Sequence, residues 1–339
     1  MGLLLAAEWV GLTFGLLPWG LVTDRIGERR ALGIGLAACG ACIAAAAAAG
    51  DAVTAGVLIA LAGATGSSVQ SASGRAVMQW FAPSQRGLAF GIRQTAVPVG
   101  GLIGALVLPA LAESAGVGAA FVFLGGLCFA TATVGAIVVR ELPSEGVDPV
   151  SVGATLRDSR LWFLCGGSGL YVTAQIVLFS FAVLFLHDER GFSPTAAAGA
   201  FAVAHALAMV LRVGVGRWSD RLGTRIVPLR RIGVATFAAL AATALVLDAP
   251  DAVVVPLLIV TTALSAAWNG LSFVAAAELA GTARSGAAIG FQQTALSLAA
   301  IFVPPAFAAG VAATSWRTGF AAAAVVPLAG WMLLGRVRA

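Results

Sequence analysis

Long apolar runs alternate with short charged loops along the whole chain. Crossing a bilayer as a helix takes about 20 largely apolar residues. Eleven runs reach that length, at 2–22, 31–49, 52–74, 87–110, 118–139, 161–185, 195–217, 227–247, 252–274, 286–310 and 317–335. The loops at 23–30, 75–86, 140–160, 218–226 and 275–285 and the tail 336–339 hold most of the arginines, whereas the intervening loops hold only Arg190 and Arg317. Such a bias is the positive-inside pattern, and it assigns the arginine-rich loops and the C-terminus to the cytoplasmic side of a bacterial-type inner membrane. The pattern as a whole predicts an all-α membrane protein.

Two segments of the chain occur twice. Gly20-Leu-Val-Thr-Asp24-Arg25-Ile-Gly27-Glu28-Arg29-Arg30 is answered 196 residues later by Gly216-Arg-Trp-Ser-Asp220-Arg221-Leu-Gly223-Thr-Arg225. Gly87-Leu-Ala-Phe-Gly91-Ile-Arg-Gln94-Thr95-Ala96 is answered by Gly286-Ala-Ala-Ile-Gly290-Phe-Gln-Gln293-Thr294-Ala295 at an offset of 199. An echo of this length is an internal duplication. The copies keep their order and an even number of spans separates them, so the halves, 1–140 and 161–339, are expected to be parallel repeats about an axis along the membrane normal. The polar stretch 141–160, with Pro143, Glu145, Asp148 and Pro149, reads as the linker.

The loop chemistry has a physical reading. A glycine at the helix end lets two helices approach, a second glycine turns the loop, and arginines hold it at the surface. Asp24 and Asp220 suit pairing with a basic residue or with a helix N-terminus. The cluster therefore reads as a latch closing the cytoplasmic side, the plainer alternative being arginines that only set topology.

Composition narrows the class further. The 339 residues are 60% hydrophobic and 10% charged, with a mean hydropathy of +0.97, against roughly 25% charged in an ordinary soluble domain. The net charge of +5 comes from arginines in short loops, which argues against nucleic acid as a partner. With no lysine in the chain, a Walker A loop is impossible. Cys39, Cys42, Cys128 and Cys165 lie within apolar runs and read as small hydrophobes rather than as a redox or metal motif. No basic segment precedes the first run, so that span is expected to serve as its own insertion signal.

The paired loops, the linker and the two halves resemble the major facilitator superfamily of secondary transporters, in which a G-x-L-x-D-R-x-G-R-R-type loop joins helices two and three and a weaker copy joins helices eight and nine. Gly20, Asp24, Arg25, Gly27, Arg29 and Arg30 match the first copy, and Gly216, Asp220, Arg221, Gly223 and Arg225 the second. The resemblance implies a monomeric, non-enzymatic transporter in the lipid bilayer, without cofactor or metal, that moves a small-molecule solute by alternating access between two six-helix halves. A proton-coupled carrier of a small anion or metabolite is the expected function. The alternatives are a drug efflux antiporter and a truncated, non-transporting membrane protein.

There are two departures from the family pattern. The first run corresponds to helix two, which leaves eleven of twelve helices and an expected further helix ahead of Met1. In helix five, Ala96-Val97-Pro98-Val99-Gly100-Gly101 lacks the preceding glycine and the spacing of the drug–proton antiporter pattern.

Polar residues inside the runs are few, and at that depth they mark a pathway by default. Glu8 reads either as a proton-coupling carboxylate or as an interfacial residue. His205, the one histidine within a run, reads as a proton relay or as a packed ring. Arg93 reads as an anion-holding fork beside Gln94 or as a snorkelling anchor; Arg212 reads as structural. Tyr171, Gln175, Trp268 and Asn269 lie near mid-span on the helices that line the central cavity in the family, and Gln70 and Gln293 complete the candidate solute set. Gly100, Gly101 and Gly104 suggest a close helix crossing, and Pro304-Pro305 suggests a hinge.

Overall fold

The computed structural model of the protein describes residues 2–140, 155 and 157–337. Every regular element among them is helical: α1 (Gly2–Ile26), α2 (Glu28–Ala46), α3 (Ala52–Gly66), α4 (Ser68–Trp80), α5 (Arg86–Arg93), α6 (Ala96–Ala115), α7 (Val117–Val138), α8 (Ser159–Asp188), α9 (Pro194–Leu222), α10 (Ile226–Leu245), α11 (Asp251–Ser265), α12 (Asn269–Ala280), α13 (Ser285–Ala313) and α14 (Trp316–Leu334), with a 3₁₀ turn at Thr282–Arg284. Ten stretches of the described residues are long and apolar enough to cross a membrane. Three of them are helix pairs: α3 with α4, α5 with α6, and α11 with α12. The remaining run, 2–22, forms α1, whose 25 residues span about 38 Å at about 1.5 Å per residue. Most of the expected 141–160 linker lies outside the described residues.

Local chemistry sets the helix ends. Asp51 starts α3 by accepting hydrogen bonds from the Val53 and Thr54 amides, both at 2.9 Å. Ser193 caps α9 just ahead of Pro194, whose missing N–H costs nothing at a first helical position. The same helix runs past its apolar stretch, through Asp220 and Arg221, and stops at Gly223, where φ is 64°. Gly27, with φ 87°, makes the corresponding turn between α1 and α2. Both glycines occupy backbone conformations that a side chain would strain.

Packing divides the chain into two compact units. Unit 1 comprises Met1–Ala82, Val97–Asp158 and Ala276–Ser297; unit 2 comprises Pro83–Ala96, Ser159–Ala275 and Leu298–Ala339. In unit 1, α1 packs on α3, and α2 on α7. Unit 2 has an aromatic core in which Phe185 and Phe320 are fully buried and Phe307 and Trp316 pack against them. Each unit thus includes the start of one helix, α13 in unit 1 and α5 in unit 2, from the far part of the sequence.

Those two helix starts are seated through glycine. A methyl on Gly216 of α9 would stand 2.2 Å from the Gly87 carbonyl of α5, and one on Gly91 would stand 2.5 Å from the Arg212 carbonyl one turn away. Unit 1 repeats the geometry: Gly20 of α1 faces the Gly286 carbonyl of α13 at 2.5 Å, and Gly290 faces the Leu16 carbonyl at 2.4 Å. Among the described residues nothing crosses at Gly100, Gly101 and Gly104, where a crossing is expected. Gly100 and Gly101 have no atom within 4 Å of a built Cβ, and Gly104 meets only Leu108 of its own helix. At Pro304-Pro305, where a hinge is expected, α13 continues through both prolines without a break. Neighbouring groups inside a membrane protein can absorb a proline without ending the helix.

Replacing Gly216 by alanine is expected to cost about 1–3 kcal/mol of stability, because backbone on the facing helix cannot yield as a flexible side chain can. Gly100→Ala, placed in open space, should be neutral by the same measure, thermal unfolding of the purified protein in detergent.

Candidate functional site: two carboxylate clamps and a polar seam

Each repeated aspartate grips the start of a distant helix. Asp24 accepts from the Gly286 amide through Oδ1 at 2.9 Å and from the Ala287 amide through Oδ2 at 2.7 Å. In unit 2, Asp220 accepts from the Gly87 amide at 2.9 Å and from the Leu88 amide at 2.8 Å, again with one oxygen each. Gln85, which precedes α5, makes no side-chain cap bond and leaves this capping to Asp220. A carboxylate at a helix N-terminus satisfies amides that have no intrahelical partner and meets the positive end of the helix dipole. The glycine crossings make this reach possible, since a side chain at Gly286 would meet the Asp24 carboxylate itself at 2.7 Å.

The two clamps differ in their cations. In unit 1 the Arg75 Nη1 donates to Asp24 at 2.9 Å and to the carbonyls of Thr282 and Ala283, while its Nε lies 3.3 Å from Glu28. Reorienting the Gln79 amide adds bonds to both Glu28 and Arg75. In unit 2 the cation comes from the loop itself: the Arg225 Nη1 donates to Asp220 at 2.6 Å and to Ser219 at 3.0 Å, and its Nη2 donates to the Pro83 carbonyl. Arg225 corresponds to Arg29, which is exposed, as are Arg25 and Arg221. Arg75 and Glu28 were not singled out from the sequence. Both look like ordinary loop charges, and the available signal was only that Glu28 opens a helix directly after a glycine turn.

Asp24 lies on the loop side of the 2–22 run. Burial pushes its carboxyl up to about 6, against the Ala287 amide, the Arg75 charge and the Gly286 amide, which act in the opposite direction.

A second group of polar residues lies along α8 and α12 in unit 2. The Ser168 and Ser272 hydroxyls are hydrogen-bonded to each other, and the Tyr171 and Trp268 rings meet edge to face with centroids 6.1 Å apart. The Tyr171 hydroxyl donates to the Leu229 carbonyl at 3.2 Å, and its ring is wedged against Gly233 and Gly330. Gln175 lies one turn further along α8. The Gln175 Oε1, Trp268 Nε1 and Asn269 Oδ1 are all buried without a hydrogen-bond partner.

The remaining candidates are dispersed. Arg93 is half-buried, donates to the Gln94 Oε1 at 2.8 Å and lies over the Phe90 ring. Gln94 is buried, and its backbone carbonyl accepts from Arg212 at 2.8 Å. Gln70 and Gln293, both half-buried, belong to unit 1. The His205 ring is held edge to face between Phe179 and Phe201, at 4.7 and 4.4 Å. Glu8 is exposed.

Helical spans in repeated order, with carboxylate clamps at the repeated loops, define an integral membrane protein of the transporter class. The sequence profile of the Major Facilitator Superfamily matches residues 1–304. Two proteins of Mycobacterium tuberculosis, from strains CDC 1551 / Oshkosh and ATCC 25618 / H37Rv, both described as uncharacterized MFS-type transporters, are each 35% identical over 332 residues, covering 97% of this chain and 74% of theirs. The chain belongs to the Major Facilitator Superfamily and is a secondary transporter rather than an enzyme. Its fold is similar to that of the transporter FucP in the outward conformation, with a TM-score of 0.81 at 15% identity over 100% of this chain and 90% of the other. It is also similar to the proton:xylose symporter XylE, with a TM-score of 0.77 at 16% identity over 99% and 86%. For the human organic anion transporter MFSD10 the TM-score is 0.79 at 18% identity over 98% and 83%.

Removing one partner of a buried ion pair costs about 3–5 kcal/mol. Asp24→Asn keeps the volume and removes the charge, so it should raise maleimide labelling of a cysteine introduced at Ala283, with the native cysteines replaced and the protein still folded.

Proposed function

We propose that the chain carries a small organic anion or polar metabolite, coupled to protons, by alternating access between its sequence halves. In this reading the arginine-rich face is cytoplasmic and the Asp24 and Asp220 clamps stabilise its closed form. The observation that supports it is the trio of orphaned polar atoms at Gln175, Trp268 and Asn269. Buried polar groups without partners are costly, and one indole N–H and two amide oxygens would together suit a solute that presents both an acceptor and donors. Arg93 adds a planar cation for a carboxylate or similar anion. Aromatic packing around His205 favours a structural role there, which leaves Glu8 as the candidate coupling group on the present residues.

The same buried polar atoms weigh against the drug efflux alternative, since lipophilic cations are better served by apolar and aromatic walls. The Tyr171 hydrogen bond to Leu229 and its ring packing against Gly233 and Gly330 give it a supporting role: it fixes the α8 backbone from which Gln175 projects.

The test is solute-dependent proton movement in proteoliposomes, with acetate, lactate, succinate and glucuronate as anionic probes and ethidium as the drug probe. An anion is expected to move protons with it. Trp268→Phe, which stays aromatic but loses the pyrrole ring and its N–H, should raise KM by about ten-fold or more, at least the weight of one buried hydrogen bond. Arg93→Lys should weaken an anion while sparing a neutral solute. Proton movement with ethidium alone would reverse the assignment in favour of efflux.

A further inference from the structure

Arg212 lies in α9 at 5% exposure, and both of its hydrogen bonds go to backbone carbonyls: Nε to Ala266 at 3.0 Å and Nη1 to Gln94 at 2.8 Å. Each carbonyl ends a helix at a break in a membrane-spanning stretch. Gln94 follows α5, just before α6, and Ala266 follows α11, just before α12. Inside a bilayer no water is at hand for such carbonyls, so a protein group must serve them.

The cause of the first break is in the sequence. In an uninterrupted helix the Gln94 carbonyl would accept from the amide four residues on, and that residue is Pro98, which has none. The duplication supplies an internal control. The counterpart of Pro98 is Ser297, and α13 runs unbroken past it. The counterpart of Ala266 is Ser67, whose carbonyl accepts from the Gln70 amide at 3.1 Å. Where both carbonyls have backbone donors, the counterpart of Arg212 is Leu16. The arginine thus occurs in the copy that lacks those donors.

We propose that Arg212 is a positioning residue whose guanidinium replaces the missing backbone donors at both breaks, fixing the two segments that present Arg93–Gln94 and Trp268–Asn269. The solute reading above bears only on what these segments present; the bonding itself does not depend on it. One planar fork spans the two breaks, so they hold or release together. Lysine, a point charge with a single nitrogen, serves one carbonyl well at a time.

Amide hydrogen exchange of the full-length protein in nanodiscs tests this without any solute, so failure of the solute assignment leaves the result readable. In Arg212→Leu, exchange at 95–97 and at 267–270 should quicken by about ten-fold or more, the loss of charge-assisted bonds, while α14 keeps its protection. Adding Pro98→Ser, which copies the other repeat, should restore 95–97 and leave 267–270 fast. Arg212→Lys should give intermediate rates and serves as the readable variant if the leucine form does not accumulate. Unchanged exchange at both breaks, a uniform rise that includes α14, or failure of Pro98→Ser to protect 95–97 would each overturn the proposal.

Discussion

Backbone hydrogen bonding within a bilayer is the constraint on which the rest of this structure depends. Every amide and carbonyl that a helix leaves open has to be met by another part of the protein. Helix starts are the first such place, and here two carboxylates meet them. Asp24 and Asp220 each use both oxygens on consecutive amides of a helix hundreds of residues or more than a hundred residues distant in sequence. A single carboxylate so placed does three things at once: it satisfies two donors, it answers a helix dipole, and it neutralises a neighbouring arginine.

Close approach makes that bonding possible, and close approach comes from glycine in pairs one turn apart. Gly87 and Gly91 seat α5 on α9, and Gly286 and Gly290 seat α13 on α1. The duplicated sequence preserves these glycines together with the aspartates because neither is useful alone. Without the glycines the carboxylates could not reach; without the carboxylates the crossings would leave amides unpaired.

The large features of the fold are legible in the chain because they depend on residue type and period. Eleven apolar runs become helices, with ends displaced by a few residues where polar side chains continue a helix beyond the hydrocarbon, as in α9 through Asp220. The doubled loops are equally plain, since few residue types can replace glycine or aspartate there. Less visible are features that depend on which face a residue takes. Arg75 and Glu28 read as loop charges, yet both are buried beside Asp24. Gly100 and Gly104 have the spacing of a crossing and nothing among the described residues crosses them, whereas Gly87 and Gly91 have the same spacing and are crossed. Spacing permits a contact; a partner of matching shape decides whether it forms.

The unequal cations of the two clamps acquire a meaning once synthesis is considered as an order of events. When residue 220 emerges, its partners at 87 and 88 already exist, and a nearby arginine from its own loop completes the site. Asp24 is made first and its amides come 262 residues later, a delay of roughly ten seconds to a minute at about 5–20 residues per second. Arg75, only 51 residues downstream, is made well before those amides and is the first of the Asp24 partners in the finished clamp to emerge. The ion pair that completes the clamp in the finished protein thus also gives the nascent chain a companion for a carboxylate made long before its amides.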